Sequence, residues 1–569
     1  MRIVEARIAW ASVAAAAILV CAGLTARPPT TFVAPYPVAV VRIVLVSESP
    51  PDLRGASDWA MVPARGFDNA TRTGEREPEA NAETIGPFLR RHGVALEASS
   101  AAGWEWLGAS PGSNVPEVPG KHPVPGARVE VVERVGWEGT TEPGSLEIRL
   151  PRRVETGSRF AHLRLVESGP SVVGTIRSVG SPSTRTPGLV AGADIPATIA
   201  QACGIVEPFG TGRSAGWSMG TSSGADGVAG RTRWQDPLMR WRWGVPLILS
   251  GALLVAWFRP RSPLSAIATW FPLALGCLEV VSWTARDFST GNFMVEASAA
   301  RAPIVFGVAV LLSVGLGRAR FGDPLLAAAL GCVALTADAA LGFPSQRVGA
   351  MGFSVAESAR FHGIGNETAG LWIGWSALLM VRAGLPGAAM AAVSAVAIGA
   401  PGLGANAGCA VAAAGLAIAG CVAAVPRRRR LATAALGVVI GIGAVGWVAV
   451  RDSQLPEARR SHVGRAAAQM LAGKSPQVLR VARRKVAMNL RLMVRSPWAV
   501  LLWTGGCVGW AGMRAGRRIG SAWVGPALAL CLNDSGVVAA ALATLPLVAP
   551  EKKEAVPADA ETASVDRAE

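Results

Sequence analysis

The sequence predicts an α-helical polytopic membrane protein of about eleven spans that carries an extracytoplasmic α/β domain. Three observations lead there. The 569 residues are 51% hydrophobic and only 17% charged, with a mean hydropathy of +0.36, too apolar for a soluble chain of this size. Apolar runs of roughly membrane-crossing length recur, one at the amino end and the rest after residue 243. Between them residues 27–240 are hydrophilic and open on the apolar run Val38–Val46, the signature of a buried parallel strand.

The first element is residues 1–26. Arg2 and Arg7 precede an uncharged run from Ile8 to Ala26, long enough to cross a bilayer. Val20 before Cys21 makes a poor lipobox and Leu24-Thr25-Ala26 a weak cleavage site. The run therefore reads as an uncleaved anchor with a cytoplasmic amino terminus, a cleaved signal being the alternative. Residues 27–206 form the α/β domain, with strands expected at Ala127–Val132 and Leu146–Leu150 and a helix at Ile195–Cys203. Its Gly-, Pro- and Ser-rich connections call for long loops. Residues 207–243, rich in Gly, Ser and Thr, read as a linker. The apolar runs then fall near 244–258, 263–284, 302–317, 324–342, 368–381, 385–400, 405–425, 431–450, 498–513 and 522–548. The tail 549–569 is charged and Ala-rich, a composition expected to be disordered.

Arginines orient these runs. Arg259 and Arg261, Arg318 and Arg320, Arg382, Arg427 to Arg430, and Arg514, Arg517 and Arg518 fall on alternate connections, which puts those connections in the cytoplasm of a bacterial inner membrane. The segments 285–301, 343–367, 401–404 and 451–497 then lie outside with the α/β domain. The net charge of +16 is explained by this pattern, and no nucleic-acid partner is expected. The loop 451–497 departs from the rule, carrying Arg459, Arg460, Arg465, Arg480, Arg483, Arg484, Lys485, Arg491 and Arg495. Val478, Val481, Ala482, Val486, Leu490 and Met493 recur at helical spacing among them, so an interfacial amphipathic helix is expected, the alternative being that this loop lies inside. The hydrophilic region holds only Cys203, which excludes a disulfide framework and a CxxC metal site there.

The stretch Arg360-Phe-His-Gly-Ile-Gly-Asn-Glu367 sets polar and flexible residues directly before an apolar helix. Gly363 and Gly365 free the backbone, and N–H groups at a helix N-terminus suit an anion to which Arg360 would add a guanidinium fork. His362 and Glu367 are the titratable groups beside it. The bland alternative is a polar cap on a membrane helix. Glu279, Asp338 and Asp534 lie in or near apolar runs, where an ionised carboxylate needs a partner or a water-filled cavity. Asp534 is the strongest of the three, in Leu532-Asn-Asp-Ser-Gly536; for Glu279 and Asp338 a hydrogen-bonded packing role is the competing reading. Asn406, within Gly402-Leu-Gly-Ala-Asn-Ala-Gly408, could also be a helix N-cap.

These stretches, with Ser461-His-Val-Gly-Arg465 and Arg484-Lys-Val-Ala-Met-Asn-Leu-Arg-Leu492, occur in one order along the membrane half. Together they resemble a family of uncharacterised bacterial membrane proteins labelled phosphoglyceromutase-like or alkaline-phosphatase-like, which carry an arginine–phenylalanine–tyrosine–GIGNE signature. His362 stands where that family usually has tyrosine. The resemblance implies an alkaline-phosphatase-like fold for the outer domain, with Asp194 in Thr186–Thr198 as a helix N-cap and Thr71 or Thr73 near the nucleophile position. Val46-Ser-Glu48 stands where a metal-binding Asp is expected, no Asp-His pair occurs, and His92, His122 and His162 are scattered, so the outer domain is expected to be degenerate and metal-free. Expected substrate-binding residues are Arg360, Gly363, Gly365, Asn366, Asn406, His462, Arg465, Asn533 and Ser535; catalytic candidates are His362, Glu367 and Asp534. The expected partners are membrane lipid and an anionic, lipid-linked (for instance polyprenyl-linked) envelope substrate, with no cofactor. The alternatives are an active metal-dependent phospho- or head-group transferase in the outer domain and a non-catalytic assembly protein.

Overall fold

A computed structural model describes residues 2–26, 37–47, 59–63, 85–92, 94–100, 107, 127–135, 145–151, 160–167, 177–205, 214–219, 224–260, 262–288, 301–319, 323–357, 360–454, 462–471, 475–516, 519–533 and 535–548. Asp534, Thr71, Thr73, His122, the tail after 548 and most of the 285–301 segment lie outside the described residues, as do the side chains of His462 and Arg465.

The apolar run at Val38–Val46 forms β1 (Val40–Val46), central in a six-stranded mixed sheet with β2 (Trp59–Pro63), β3 (Ala95–Ala98), β4 (Arg128–Arg134), β5 (Ser145–Pro151) and β6 (Phe160–Glu167). The strand order is β2-β6-β5-β1-β4-β3. β1 runs parallel to both β4 and β5, β3 runs parallel to β4, and β6 is antiparallel to β5 and β2. One face is apolar: Val41, Ile43, Leu45, Val129, Val131, Leu146, Ile148 and Leu150 pack with Ile195 and Ile199 of the helix Asp194–Ala202. Alternation puts Arg42, Glu130, Glu147 and Arg149 on the other face. There Arg42 bonds Glu130 at 2.8 Å and Arg149 bonds Glu147 at 2.7 Å, so these buried charges are paired. Towards the carboxyl ends of β1 and β4 this second face turns apolar, through Val44, Val46 and Val132.

Asp194 corrects the expectation of an N-cap. It is the first helical residue, the cap position is Ala193, and the carboxylate instead accepts from Ser181 Oγ at 2.5 Å, Ser183 Oγ at 2.7 Å and the Ala191 N–H at 3.1 Å. It ties down the loop before its own helix. The stretch expected as a linker is also structured in its described part. β8 (Gly216–Met219) pairs with β7 (Arg177–Gly180), and a helix covers Gly224–Trp241. Its glycines and Pro237 oppose helix formation in isolation, and tertiary burial of Val228 and Leu238 overrides them.

In chain order the helices are α1 (Arg2–Ala26), α2 (Ile85–Arg91), α3 (Asp194–Ala202), α4 (Gly224–Trp241), α5 (Gly244–Phe258), α6 (Ile267–Phe288), α7 (Arg301–Arg318), α8 (Pro324–Ala340), α9 (Asn366–Ala383), α10 (Leu385–Gly399), α11 (Ala407–Ala424), α12 (Arg430–Ser453), α13 (His462–Leu471), α14 (Ser475–Arg495), α15 (Pro497–Arg514), α16 (Val524–Leu532) and α17 (Gly536–Thr544). Among the described residues four stretches are long and apolar enough to cross a membrane: Val4–Thr25, Pro263–Ser282, Ala407–Ala424 and Arg427–Ser453. The pair Gly230–Trp241 and Gly244–Phe258, bent by 44°, passes the same test jointly, and shorter apolar helices include α8 and α10. α1 belongs to the bundle. Ala9, Val13, Ala16 and Val20 are buried, and Gly23 lies so close to α8 that a Cβ on it would sit 2.9 Å from the Ala340 Cα.

The segment 522–548, read from sequence as one crossing, is a hairpin. Gly408 touches Leu532 and Asn533 while Leu416 touches Gly525, so α16 runs antiparallel to α11. Gly370 meets Ala539, so α17 returns alongside α9. The reversal follows from Gly536, whose missing Cβ lets it sit against the carbonyls of Leu530 and Ala529.

Candidate functional site

Three helices begin at one place. Gly365, Asn406 and Ser535 are the N-cap residues of α9, α11 and α17, and the hairpin tip lies between the first two helices. Asn366 Oδ1 is the centre of contact, accepting from Asn406 Nδ2 at 2.8 Å and from Asn533 Nδ2 at 2.9 Å. Asn533 Nδ2 also reaches the buried Cys409 Sγ at 2.8 Å, and Asn406 Oδ1 caps α11 by accepting from the Cys409 N–H at 3.3 Å. Asn406 is thus both the expected cap and a member of the network. The positive ends of three helix dipoles converge here, a setting that favours an anion.

The loops entering the network are tightly fixed. Gly363, at φ +81°, leaves no room for a Cβ beside the Gly404 carbonyl, and the Ile364 N–H donates to that carbonyl at 2.9 Å. Ala405 adopts φ +49°, a conformation that costs a non-glycine residue roughly 1–2 kcal/mol. The Gly365 N–H is taken by Gln346 Oε1 at 3.0 Å, and Gln346 Nε2 donates to Thr368 Oγ1 at 2.9 Å. Ser535 holds the N-cap position without a side-chain cap.

Sequence reasoning missed Asn489, Gln346 and Arg242. Asn489 of α14 clips the hairpin: its amide donates to Asn533 O at 2.8 Å and Leu530 O at 3.2 Å, and its oxygen accepts from the Gly536 N–H at 2.8 Å. One side chain thereby complements the carbonyl end of α16 and the N–H end of α17. Arg242, at the bend between α4 and α5, pairs with Glu367 at 3.5 Å, and Arg360 also lies within electrostatic reach of that buried carboxylate. Glu367 sits in the first turn of α9, where the dipole favours a negative charge. His362 is half-buried on the same loop. A pairing across such different stretches leaves no local sequence signal. Asn489, at least, lies inside one of the quoted motifs.

Glu279 and Asp338 take the packing role. Glu279 Oε1 accepts from the Ala350 N–H at 2.8 Å, and Asp338 accepts from Ser345 N at 3.0 Å and Ser345 Oγ at 2.6 Å. Gln235 of α4 donates to the Gly349 carbonyl at 2.9 Å and to that of Phe353 at 3.3 Å. Residues 343–357 are therefore held from three sides, and they pack against the α/β domain. Val44 and Val46 of β1 and Leu189 pack against Val228 and Ala356, with Val355 and Phe361 beside them. A second latch is Arg185, at φ +52°, whose guanidinium donates to the Pro401 carbonyl. Burial lowers the Arg185 pKa, opposed by Asp452.

Val355, Ala356, Phe361 and Pro401 thus touch the α/β domain. The grouping of Arg360, Glu367, Asn366, Asn406 and Asn533 near one another is observed; that of Asp534, His462 and Arg465 rests on atoms outside the described residues. Among the described residues no group of three or more His, Cys, Asp or Glu side chains gathers. No family model, no curated protein and no solved structure matches the chain.

Proposed function

We propose that this is an integral protein of the bacterial inner membrane that binds an anionic, lipid-linked envelope substrate at the outer leaflet and modifies or moves it. The observation that carries the reading is the convergence of three helix N-termini and a hairpin tip on Asn366. Irregular backbone among apolar helices is tolerated where it is buried in protein or lines a polar path, and broken helices of this kind aim their N-termini at anionic groups. Exposed Trp241 and Trp243 at the α4–α5 bend support an interface at that level. The hairpin replaces the last of the eleven expected crossings, leaving ten helices to cross and the tail on the cytoplasmic side. In this reading the α/β domain does not carry the reaction. In open α/β sheets ligands sit beyond the carboxyl ends of the strands, and here Val44 and Val46 at that end are packed under apolar side chains.

The test is envelope lipidomics of a deletion strain complemented by wild type, Asn366→Ala, Asn533→Ala and the exposed Arg240→Ala at matched membrane abundance. The two asparagine variants are expected to leave a lipid-linked species accumulated that wild type and Arg240→Ala clear. If all four complement alike, the tip is structural only.

A further inference from the structure

The helix that clips the hairpin has three unlike faces. Successive residues step round an α-helix by about 100°, so Asn489, Leu490 and Arg491 of α14 point three ways. The Asn489 line faces protein: its side chain holds the hairpin, and Met493, one turn on, packs against the bundle core. The next line, Val486, Leu490 and Val494, is 58%, 60% and 85% exposed. Arg483, Arg491 and Arg495, spaced by multiples of four and all exposed, make the third. Over its whole length Ser475–Arg495 the helix carries six basic residues and no Asp or Glu. A protein face, a bare apolar line and a cationic line side by side suit a helix lying along a bilayer surface, where hydrocarbon covers the apolar line and head groups meet the arginines. The chain then passes through Ser496 into α15, whose exposed Val500 and Trp503 continue an apolar outer surface. Zwitterionic lipid would cover the apolar line equally well; the uncompensated sequence charge of the helix selects anionic head groups.

We propose that α14 lies in the bilayer surface and seats the head groups of anionic phospholipid on Arg483, Arg491 and Arg495, and that this lipid holds the Asn489 clip shut on the hairpin tip. Opening the clip rolls α14 away from the hairpin, and the same roll turns Arg491 and Arg495 out of the head-group plane. The lipid therefore resists opening by as much as those contacts are worth. The inference rests on the chain's place in a bilayer and not on what the tip binds.

Two measurements on the full chain test it. In the first, native mass spectrometry reads the lipid retained from an equal mixture of phosphatidylcholine and phosphatidylglycerol. Wild type is expected to retain phosphatidylglycerol preferentially, and the pair Arg491→Gln with Arg495→Gln to lower that preference by about twenty-five-fold, about fivefold for each charge. The pair Arg491→Lys with Arg495→Lys is expected to stay within about threefold of wild type, because a lipid surface reads the charge rather than the guanidinium fork. In the second, a neutral maleimide alkylates Cys409 as the only cysteine in bilayers of the same mixture, where the surface potential is common to all variants. The glutamine pair should react at least about fivefold faster than wild type there, and at the wild-type rate in phosphatidylcholine alone, which also verifies its fold. If the glutamine pair is not recovered folded, about 0.5 M salt applied to wild type decides, and is expected to cut the lipid preference severalfold. A wild type without preference for phosphatidylglycerol, a preference that salt leaves unchanged, a lysine pair as weak as the glutamine pair, or equal Cys409 rates in the mixed bilayer each overturn the proposal. Such a failure with intact Asn366 and Asn533 phenotypes leaves the hairpin-tip reading standing, and the converse pattern leaves this one.

Discussion

Replacing Asn489 by Ala should loosen the hairpin from the bundle. The side chain makes three hydrogen bonds, at 2.8, 2.8 and 3.2 Å, to backbone groups at the ends of α16 and α17. Each is worth roughly 1 kcal/mol net, and the longest somewhat less, so the local loss is about 2–3 kcal/mol. At one decade per 1.4 kcal/mol the open fraction of the tip rises by about 30- to 150-fold. Cys409 is a native probe for that opening, since its buried thiol lies under Asn533. In a chain whose other seven cysteines are replaced, the rate of Cys409 alkylation reports the opening equilibrium when closing outpaces chemistry. Asn489→Ala should therefore react tens of times faster than wild type. A rate within twofold of wild type, in a folded protein, would show that packing alone holds the tip and that the clip adds nothing.

Other predictions follow from the same contacts. Arg242→Ala should destabilise by on the order of 2 kcal/mol, by stranding the buried Glu367, and Glu367→Gln in the same chain should recover most of it; equal melting of the single and double variants refutes the pairing. Ala405→Gly should raise thermal stability by roughly 1 kcal/mol, because glycine adopts φ +49° without strain and in part offsets this by a floppier unfolded chain; a fall in stability refutes it. Burial holds the Cys203 thiol at about 12 against an ordinary 9.0, so the folded domain lacks the thiolate that the unfolded chain gains. Its contribution to stability is full below pH 9.0 and is lost as the pH climbs towards about 12, and Cys203 alkylation at pH 9 should track unfolding; rapid alkylation of the folded chain refutes the burial. A reporter fused after Glu569 should lie on the same side of the membrane as the amino terminus, and labelling from the outside would show that 522–548 crosses once.

What the sequence made legible was whatever is repeated locally. β1 announced itself because Val, Ile and Leu crowd Val40–Val46, and the helix at Asp194–Ala202 because its apolar residues recur at helical spacing. The motif asparagines were found because glycine and polar residues are conspicuous beside apolar runs, and Asn366, Asn406 and Asn533 do meet. The hairpin escaped notice because a reversal at Asn533–Gly536 and a kink in one long helix use the same residues. Hydropathy has no sign for direction. α4 was hidden by Gly224, Gly227 and Gly230, whose poor helix propensity is overcome only by burial against distant residues. Gln346 and Arg242 likewise acquire their roles from partners 19 and 125 positions away, Gly365 and Glu367.

The α/β domain enters the chain between α1 and α5, and α4 passes into α5 through a short bend that carries Arg242. A domain held by both of its chain ends cannot spin freely about a single tether; it can only rock. Rocking would turn α4 about that bend and draw the guanidinium across the carboxylate of Glu367, in the opening turn of α9. Arg185, on the same domain, would at the same moment press or release the backbone at Pro401, just before Asn406. Tilt of the domain and electrostatic potential at the hairpin tip would then be one mechanical coordinate, read at two points.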